Sequence, residues 1–230
     1  MDKRKTRMGG FYWVEEKPYL TVTTILRVID KSGPLMYWAC GETYDAVMKS
    51  IAEGNPLDRK AAIAAHKTTS KKAMNRGTIV HDIVEAWKNI NEVVGQEGPY
   101  QGYAKAFKSW IDDYNPVIKE CERTVFSNKY NYAGTLDMLA ELNGKLKIVD
   151  VKTGKNLYPE VQLQTAAYKQ ALSEEGVEVE EGTALLLKED GTYKFETHTD
   201  KLPAFLAAKT LYEGVNQERL EKVGYLIDKS

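Results

Sequence analysis

The chain has few of the residues that build a sulfur-rich or membrane-bound protein. Its 230 residues include only two cysteines, Cys40 and Cys121, too few for an iron–sulfur cluster, a cysteine-built zinc site or a disulfide framework. The apolar run at 184–187 is far shorter than the roughly 18 residues that span a membrane. The start, MDKRKTRMGG, is not followed by the apolar segment of a signal peptide. We therefore expect a cytoplasmic protein in a reducing compartment, without a membrane partner.

An excess of one charge sign is also missing, because the net charge is −1. This balance argues against a protein that coats nucleic acid through positive charge alone. The charges are unevenly spread, however: residues 58–76 hold six basic side chains and one acid, whereas residues 174–181 hold five acids and no base. The basic segment is either an anion-binding surface or an ordinary solvated helix face.

Hydrophobic periodicity predicts helices along the first half of the chain. A short extended piece runs into the first of them, which starts at Thr23 or Thr24. The longer helices that follow are predicted at 33–51, 61–91 and 100–114. A break is expected in the second of these, near residues 68–70. The third carries aromatic residues at helical spacing, and we expect this stripe to pack in the core rather than to stack on bases.

Period-two alternation then predicts strands, because successive side chains of a strand point to opposite faces. The strands are predicted at 117–127, 132–142, 145–152, 183–188 and 192–197, with helices at 158–173 and 203–222. This order predicts an α/β fold with a central mixed sheet flanked by helices and an N-terminal helical embellishment. We expect one domain over 1–230, composed of the embellishment (1–70), a catalytic core (71–200) and a C-terminal helix (201–230).

The strand KLKIVDVK places an acid and a base on the same face. Asp150 and Lys152 lie two residues apart, so alternation puts them side by side, on the face that also carries Ile148. An isolated pair of this kind is usually an exposed ion pair that contributes about 0 to 1 kcal/mol to stability. The pair alone therefore indicates no function.

The preceding strand supplies a second acid. Asp137 lies in the apolar segment YAGTLDMLAEL, where a carboxylate is costly unless it is paired or binds a metal. The dipeptide Asn143-Gly144 predicts a two-residue turn, which would place Asp137 opposite Asp150. Two facing carboxylates repel each other, and a divalent cation would remove that repulsion. Hard oxygen ligands favour Mg²⁺ or Mn²⁺.

The helical segment RGTIVHDIVEAW supplies a histidine. His81 and Glu85 lie four residues apart on one helix face with Gly77, whose missing side chain would let another backbone approach closely. A lone histidine on a helix is usually a surface residue, or a core residue whose ring nitrogens already have hydrogen-bond partners. Coupled to the two acids, His81 becomes a candidate metal ligand.

Four segments together resemble the motifs of RecB-type nucleases in the PD-(D/E)XK superfamily. In chain order they are GTIVHDIVE, AGTLDML, IVDVKTG and VQLQTAAYKQAL, which match a helical histidine, a G-x-x-D strand, a D-x-K strand and a Q-x-x-x-Y helix. The resemblance spans about residues 77–172. The segment YLTVTTIL is similar to the start of standalone phage, bacterial and mitochondrial exonucleases of this group. The four cysteines of the iron–sulfur relatives are absent, and we expect the nuclease module alone.

The resemblance implies a restriction-endonuclease-like core and a catalytic set of Asp137, Asp150 and Lys152. By the same resemblance, His81, Asp137 and Asp150 would bind Mg²⁺ or Mn²⁺, with the backbone carbonyl of Val151 as a further ligand. Lys152 would orient or polarise the attacking water.

The helix that follows the strands would support this site. The resemblance implies that Gln164 and Tyr168 contact DNA or brace the site, and their four-residue spacing puts both on one helix face. Gln162 stays open as an alternative to Gln164. Glu85 is expected to support the ligands more often than to act as one.

We therefore expect a metal-dependent deoxyribonuclease, an exonuclease that acts on single- or double-stranded DNA in phage or bacterial recombination or repair. A recombination or single-strand-binding protein is an expected type of partner, and the oligomeric state stays open. One alternative is a catalytically silent DNA-binding or assembly subunit on the same fold, which the repulsive acid pair disfavours. A hydrolase of small phosphoesters is another, which the basic segment at 59–76 disfavours.

Overall fold

The computed structural model of the protein describes residues 5–95 and 97–226, which form a mixed β-sheet with helices against both faces. Residues 1–4, 96 and 227–230, which include both ends of the predicted domain, lie outside the described residues. The strands are β1 (Lys5–Met8), β2 (Phe11–Val14), β3 (Lys17–Thr21), β4 (Val117–Ser127), β5 (Tyr132–Leu142), β6 (Lys145–Lys152), β7 (Glu181–Leu187) and β8 (Tyr193–His198). The helices are α1 (Val22–Ile25), α2 (Ser32–Ala52), α3 (Arg59–Ile90), α4 (Gln101–Tyr114), α5 (Glu160–Glu174), α6 (Leu202–Val215) and α7 (Gln217–Lys222). None of these described helices has the length and apolarity needed to cross a membrane.

Strand β5 organises the sheet, because three other strands pair with it. Strand β4 runs antiparallel along the whole of one edge. The other edge is shared: β3 pairs in parallel with residues 132–133, and β6 pairs antiparallel with residues 138–142. Between these two partners, residues 134–137 have no strand partner on that edge within the described chain. The sheet is therefore open at the position of Asp137.

The remaining strands complete a mixed sheet of the predicted kind. Strand β6 pairs in parallel with β7, and β7 pairs antiparallel with β8. At the opposite end, β1, β2 and β3 form an antiparallel meander. The sequence did not predict β1 and β2, so the N-terminal part adds strands to the sheet as well as helices.

The hairpin of β5 and β6 has the predicted turn and register. Asn143 and Gly144 have positive φ angles of 52° and 76°, as a two-residue turn of type I′ requires. The predicted register is observed up to Met138, which faces Val149. Asp137 is the next residue of β5, at the point where the ladder ends. The bounds predicted for β4, β5 and β6 are confirmed.

Helix α3 is continuous through residues 68–70, so the predicted break is wrong. Threonine and serine have weak helix propensity, but here the segment is held by helix α2, which packs against α3. The hydroxyl of Thr69 donates a hydrogen bond of 2.7 Å to Glu42 of α2. At the start of α3, the carboxylate of Asp58 accepts a hydrogen bond of 2.7 Å from the amide of Ala61 and caps the helix.

Further differences from prediction lie at helix ends, and the last two strands are shifted by one or two residues from the predicted bounds. Helix α1 begins at Val22, before the predicted start, because the Thr21 hydroxyl accepts the amide hydrogen of Thr24 at 3.1 Å and acts as the cap. The final helix is divided into α6 and α7 at Asn216. The side-chain amide of Asn216 donates to the carbonyl of Tyr212 at 2.8 Å, which satisfies a carbonyl at the end of α6.

Two apolar clusters lie on the two faces of the sheet. One contains Ile148 and residues of α5 and α6, and the other contains Val149 and residues of α3 and α4. Neighbouring residues of β6 therefore point to opposite faces, as predicted. Phe107 and Trp110 of α4 are fully buried in the second cluster, which confirms that the aromatic stripe belongs to the core.

Candidate active site

Several elements meet where the edge of β5 is open. Helix α3 contributes His81, β4 contributes Glu122, β5 contributes Asp137, and β6 contributes Asp150 and Lys152. These residues are spread over more than 70 positions of the chain and converge because α3 packs against β4, which lies beside β5. The convergence forms one polar site at the opening in the sheet.

Three of these residues form a group that could hold a metal ion. His81 Nδ1 lies 2.8 Å from Glu122 Oε1 and 3.8 Å from Asp137 Oδ1. One ligand atom from each residue lies within 4.8 Å of the other two. An imidazole nitrogen and two carboxylates are a donor set suited to a divalent cation.

The strand pair of Asp150 and Lys152 lies beside this group. The Lys152 ammonium contacts Asp150 Oδ2 and lies 3.9 Å from Asp137 Oδ2. Asp150 is fully buried, and its Oδ1 has no hydrogen-bond partner among the described residues. Both predicted acids therefore converge on one ammonium group. An unsatisfied buried carboxylate oxygen is costly, and a bound cation would satisfy it.

The amide of Val151 supports the site from β6. It donates a hydrogen bond of 2.7 Å to Asp137 Oδ2 across the end of the hairpin ladder, where the predicted partner of Asp137 is Asp150. The bond fixes one oxygen of Asp137 and leaves the other, Oδ1, directed toward His81. The role of the Val151 carbonyl as a ligand stays a prediction.

The sequence analysis missed Glu122. This residue lies in β4 at a position with φ of 49°, between Cys121, which faces Met138, and Arg123. Counting along the ladder places Glu122 opposite Asp137, although the two are not a regular pair. A left-handed residue disrupts a strand locally, and the segment KECER has two acids in an otherwise alternating strand. Those acids were the available signal, but alternation alone could not show which of them faces the site.

Burial and mutual charge shift the pKa values of the site. Burial raises the pKa of Asp137 to about 6, and repulsion from Asp150 adds to the shift against the attraction of Lys152. Burial disfavours protonated His81, but the hydrogen bond to Glu122 and the negative charges of Asp137 and Glu122 together outweigh it and raise the pKa of His81. Burial likewise opposes the charge of Lys152, yet the two acids raise its pKa. Lys152 is therefore a permanent cation at neutral pH.

Helix α5 braces the opening through Tyr168. The ring of this buried residue lies over Gly134, where an added Cβ would come within 2.4 Å of Tyr168 Cε1. The side-chain amide of Gln164 donates a hydrogen bond of 3.0 Å to the Tyr168 hydroxyl. Because Tyr168 is buried, this arrangement favours the bracing role over direct contact with DNA. Gln162 lies two residues before Gln164 and is half-buried.

Two other predicted neighbours of His81 do not reach the group. Glu85 is exposed and is not among the three candidate ligands found in the described chain. The close approach of another backbone that Gly77 would permit is not used, because a Cβ added there would meet no described atom within 4 Å. The face of α3 next to His81 is therefore open.

The comparisons with known proteins add a structural likeness. No protein-family model and no curated protein matches the chain. Among solved structures, the chain is similar to an alkaline exonuclease (LHK-Exo) from Laribacter hongkongensis, with 10% identity and a TM-score of 0.47 over 91% of this chain and 92% of that one. A structure of LHK-Exo in complex with dAMP gives 12% identity and a TM-score of 0.38 over 88% and 94%. At this level of likeness, the assignment of function depends on the site itself.

Proposed function

We propose that the protein is a metal-dependent deoxyribonuclease of the RecB type, an exonuclease that hydrolyses DNA phosphodiester bonds. The observation that carries this proposal is the convergence of His81, Asp137, Asp150 and Lys152 at the opening beside β5. Three of these residues are ligand types for a hard cation, and the fourth is a fixed positive charge next to them. We further propose a role in phage or bacterial DNA recombination or repair, in keeping with the four-motif resemblance.

The residues present fit a divalent cation. His81, Asp137 and the unsatisfied Asp150 would hold it, and Glu122 is a fourth candidate ligand that the structure adds. When bound, Mg²⁺ or Mn²⁺ lowers the pKa of a water molecule and neutralises charge on a phosphoryl oxygen.

Side chains and backbone amides of the protein would position the ligands and stabilise developing charge. Lys152 is protonated, so it would donate hydrogen bonds to an oxygen on which negative charge develops rather than remove a proton. Asp150 would hold the Lys152 ammonium in place through the contact already present in the structure. The Val151 amide would keep Asp137 oriented. The rigid strands β5 and β6 therefore preorganise both acids and the lysine.

A nuclease assay with end-labelled linear DNA, single- and double-stranded, tests this proposal with Mg²⁺, Mn²⁺ or EDTA. We expect metal-dependent shortening from the ends, and no cleavage of covalently closed circles. Asp150→Asn and Lys152→Met should each lower the cleavage rate at least about 100-fold. Asp112→Asn, which breaks the exposed pair with Lys108 on α4, is the matched control and should cleave at the normal rate.

The outcomes separate the candidate functions. DNA binding without metal-dependent product would indicate the silent binding or assembly subunit. Cleavage of small phosphodiesters without cleavage of DNA would indicate the small-substrate hydrolase. Full activity in Asp150→Asn would show that this site does not carry out the cleavage, even if the protein is a nuclease.

A further inference from the structure

The first half of helix α3 carries positive charge that the described part of the chain does not neutralise. Residues 59–81 contain no acid, and Asp58, immediately before them, is engaged in capping the helix. Several basic residues of other helices have acidic partners on the same helix, as in Lys49–Glu53, Lys108–Asp112 and Lys209–Glu213. Within this part of α3, six basic residues have no ion pair with any described carboxylate; they are Arg59, Lys60, Lys67, Lys71, Lys72 and Arg76.

Part of this charge lies on the helix face that leads to the site. Lys60, Lys67 and His81 are separated by multiples of seven residues, and seven residues make nearly two full turns. They therefore share one face of α3, with Lys71 one turn beyond Lys67. Lys60, Lys67 and Lys71 are all exposed, and the surface toward His81 is open at Gly77. A chain of phosphates could follow this face without a steric block from that position.

Arg76 lies on the opposite side of α3 from Lys67, because nine residues make two and a half turns, and it contacts the end of β6. Its Nε donates a hydrogen bond of 3.3 Å to the hydroxyl of Thr153, the residue after Lys152. Its guanidinium lies 5.7 Å from the centre of the Tyr103 ring. Arginine has five N–H donors and suits phosphate oxygens, and Arg76 is half-buried without a carboxylate partner in the described chain. It is the basic residue of this segment placed nearest the reacting groups.

We propose that the basic face of α3, formed by Lys60, Lys67 and Lys71, binds the phosphate backbone of the DNA strand and directs it to the metal site, where Arg76 makes a separate phosphate contact. The proposal rests on the proposed nuclease function and names the surface that holds its substrate. From Lys60 to Arg76 the helix is about 24 Å long at about 1.5 Å per residue. That length equals the axial rise of about seven phosphates of one strand in a duplex, at about 3.4 Å each.

Binding of a fluorescein-labelled single-stranded oligonucleotide in EDTA, followed by fluorescence anisotropy over a salt titration, tests the proposal without cleavage. The double variant Lys67→Glu, Lys71→Glu should weaken binding about tenfold at low salt. The slope of its plot of log affinity against log salt concentration should be smaller in magnitude by about 1.4, because each lost phosphate contact on a single strand reduces the slope by about 0.7. Arg76→Gln should lower the slope by about 0.7.

The matched control is Lys201→Glu, Lys222→Glu, which makes the same change in net charge at exposed positions just before α6 and at the end of α7. It should bind DNA like the wild type. Equal weakening in both double variants would overturn the proposal, because net charge alone would then explain the effect, and so would an unchanged slope in the α3 variant. If the wild type cleaves DNA in a metal-dependent way but the slope of the α3 variant is unchanged, the proposed DNA-binding role of the α3 lysines is wrong and the nuclease proposal is unaffected. If the slopes change as expected but no metal-dependent cleavage is seen, the nuclease proposal is wrong and the α3 lysines still bind DNA.

Discussion

Replacing Asp137 with asparagine should stabilise the metal-free protein, because the site is arranged for a positive charge that the chain does not fully supply. Burial and the nearby Asp150 raise the pKa of Asp137 to about 6 from its ordinary 3.8. Each pKa unit corresponds to about 1.4 kcal/mol, so ionised Asp137 costs the fold up to about 3 kcal/mol at neutral pH. Asparagine removes the charge and keeps an oxygen to accept the Val151 amide hydrogen.

The expected gain has a defined pH range. A folded-state pKa above the unfolded value means that the stability linked to Asp137 is fully present below about pH 4 and is lost as pH rises through about 6. Asp137→Asn should therefore raise the melting temperature in EDTA by up to about 6–12 °C at pH 7.5, since about 1 kcal/mol shifts the melting temperature of a chain of this size by about 2–4 °C. The gain should shrink toward zero as the pH falls to about 4.

Thermal unfolding by circular dichroism in EDTA, across this pH range, measures the effect. Asp45→Asn, at an exposed position of α2, is the control and should leave the melting temperature unchanged. Added Mn²⁺ should raise the melting temperature of the wild type and raise that of Asp137→Asn much less. A destabilised Asp137→Asn protein at pH 7.5 in EDTA would refute the reasoning, and an equal response to Mn²⁺ would remove Asp137 from the ligands.

Two further predictions concern neighbours of Asp137. Gly134→Ala should lower the free energy of unfolding by about 1–3 kcal/mol in urea titrations, because its Cβ would overlap the buried ring of Tyr168. Gly214→Ala, in α6 where a Cβ meets nothing within 4 Å, should instead add about 0.5–1 kcal/mol, and a similar loss in both variants would contradict the packing argument. Glu122→Gln should reduce the affinity for Mn²⁺, measured by calorimetry, about tenfold or more; unchanged affinity would show that Glu122 serves only to orient His81.

The hairpin at the centre of the site was predictable because its signals are local. Asn143-Gly144 specifies the turn, and a two-residue turn determines every cross-strand pair up to Met138. The face shared by Asp150 and Lys152 follows from alternation in the same way. None of these inferences needs knowledge of a distant segment.

The features that the sequence analysis missed depend on contacts between distant segments. Helix α3 continues through Thr69 because α2 supplies a hydrogen-bond acceptor, Glu42, from 27 residues away. The left-handed backbone at Glu122 is a local irregularity within a strand that otherwise alternates. The opening beside β5 arises because two strands from different parts of the chain share one edge. The periodicity of a single sequence reports only local structure, so it cannot reveal which distant strands pair.

Two of the sequence motifs are parts of one packing contact. In the G-x-x-D strand, Gly134 has no side chain because the ring of Tyr168 occupies that space. In the Q-x-x-x-Y helix, Gln164 donates to the hydroxyl of the same ring. The ring therefore presses on β5 within the unpaired stretch 134–137, three residues before Asp137. Strand β5 lacks a neighbouring strand along this stretch, so helix α5 supplies the contact that a strand would otherwise provide. The spacing of both motifs then has a physical cause, because the opening beside β5 is braced from the face of the sheet rather than from its edge.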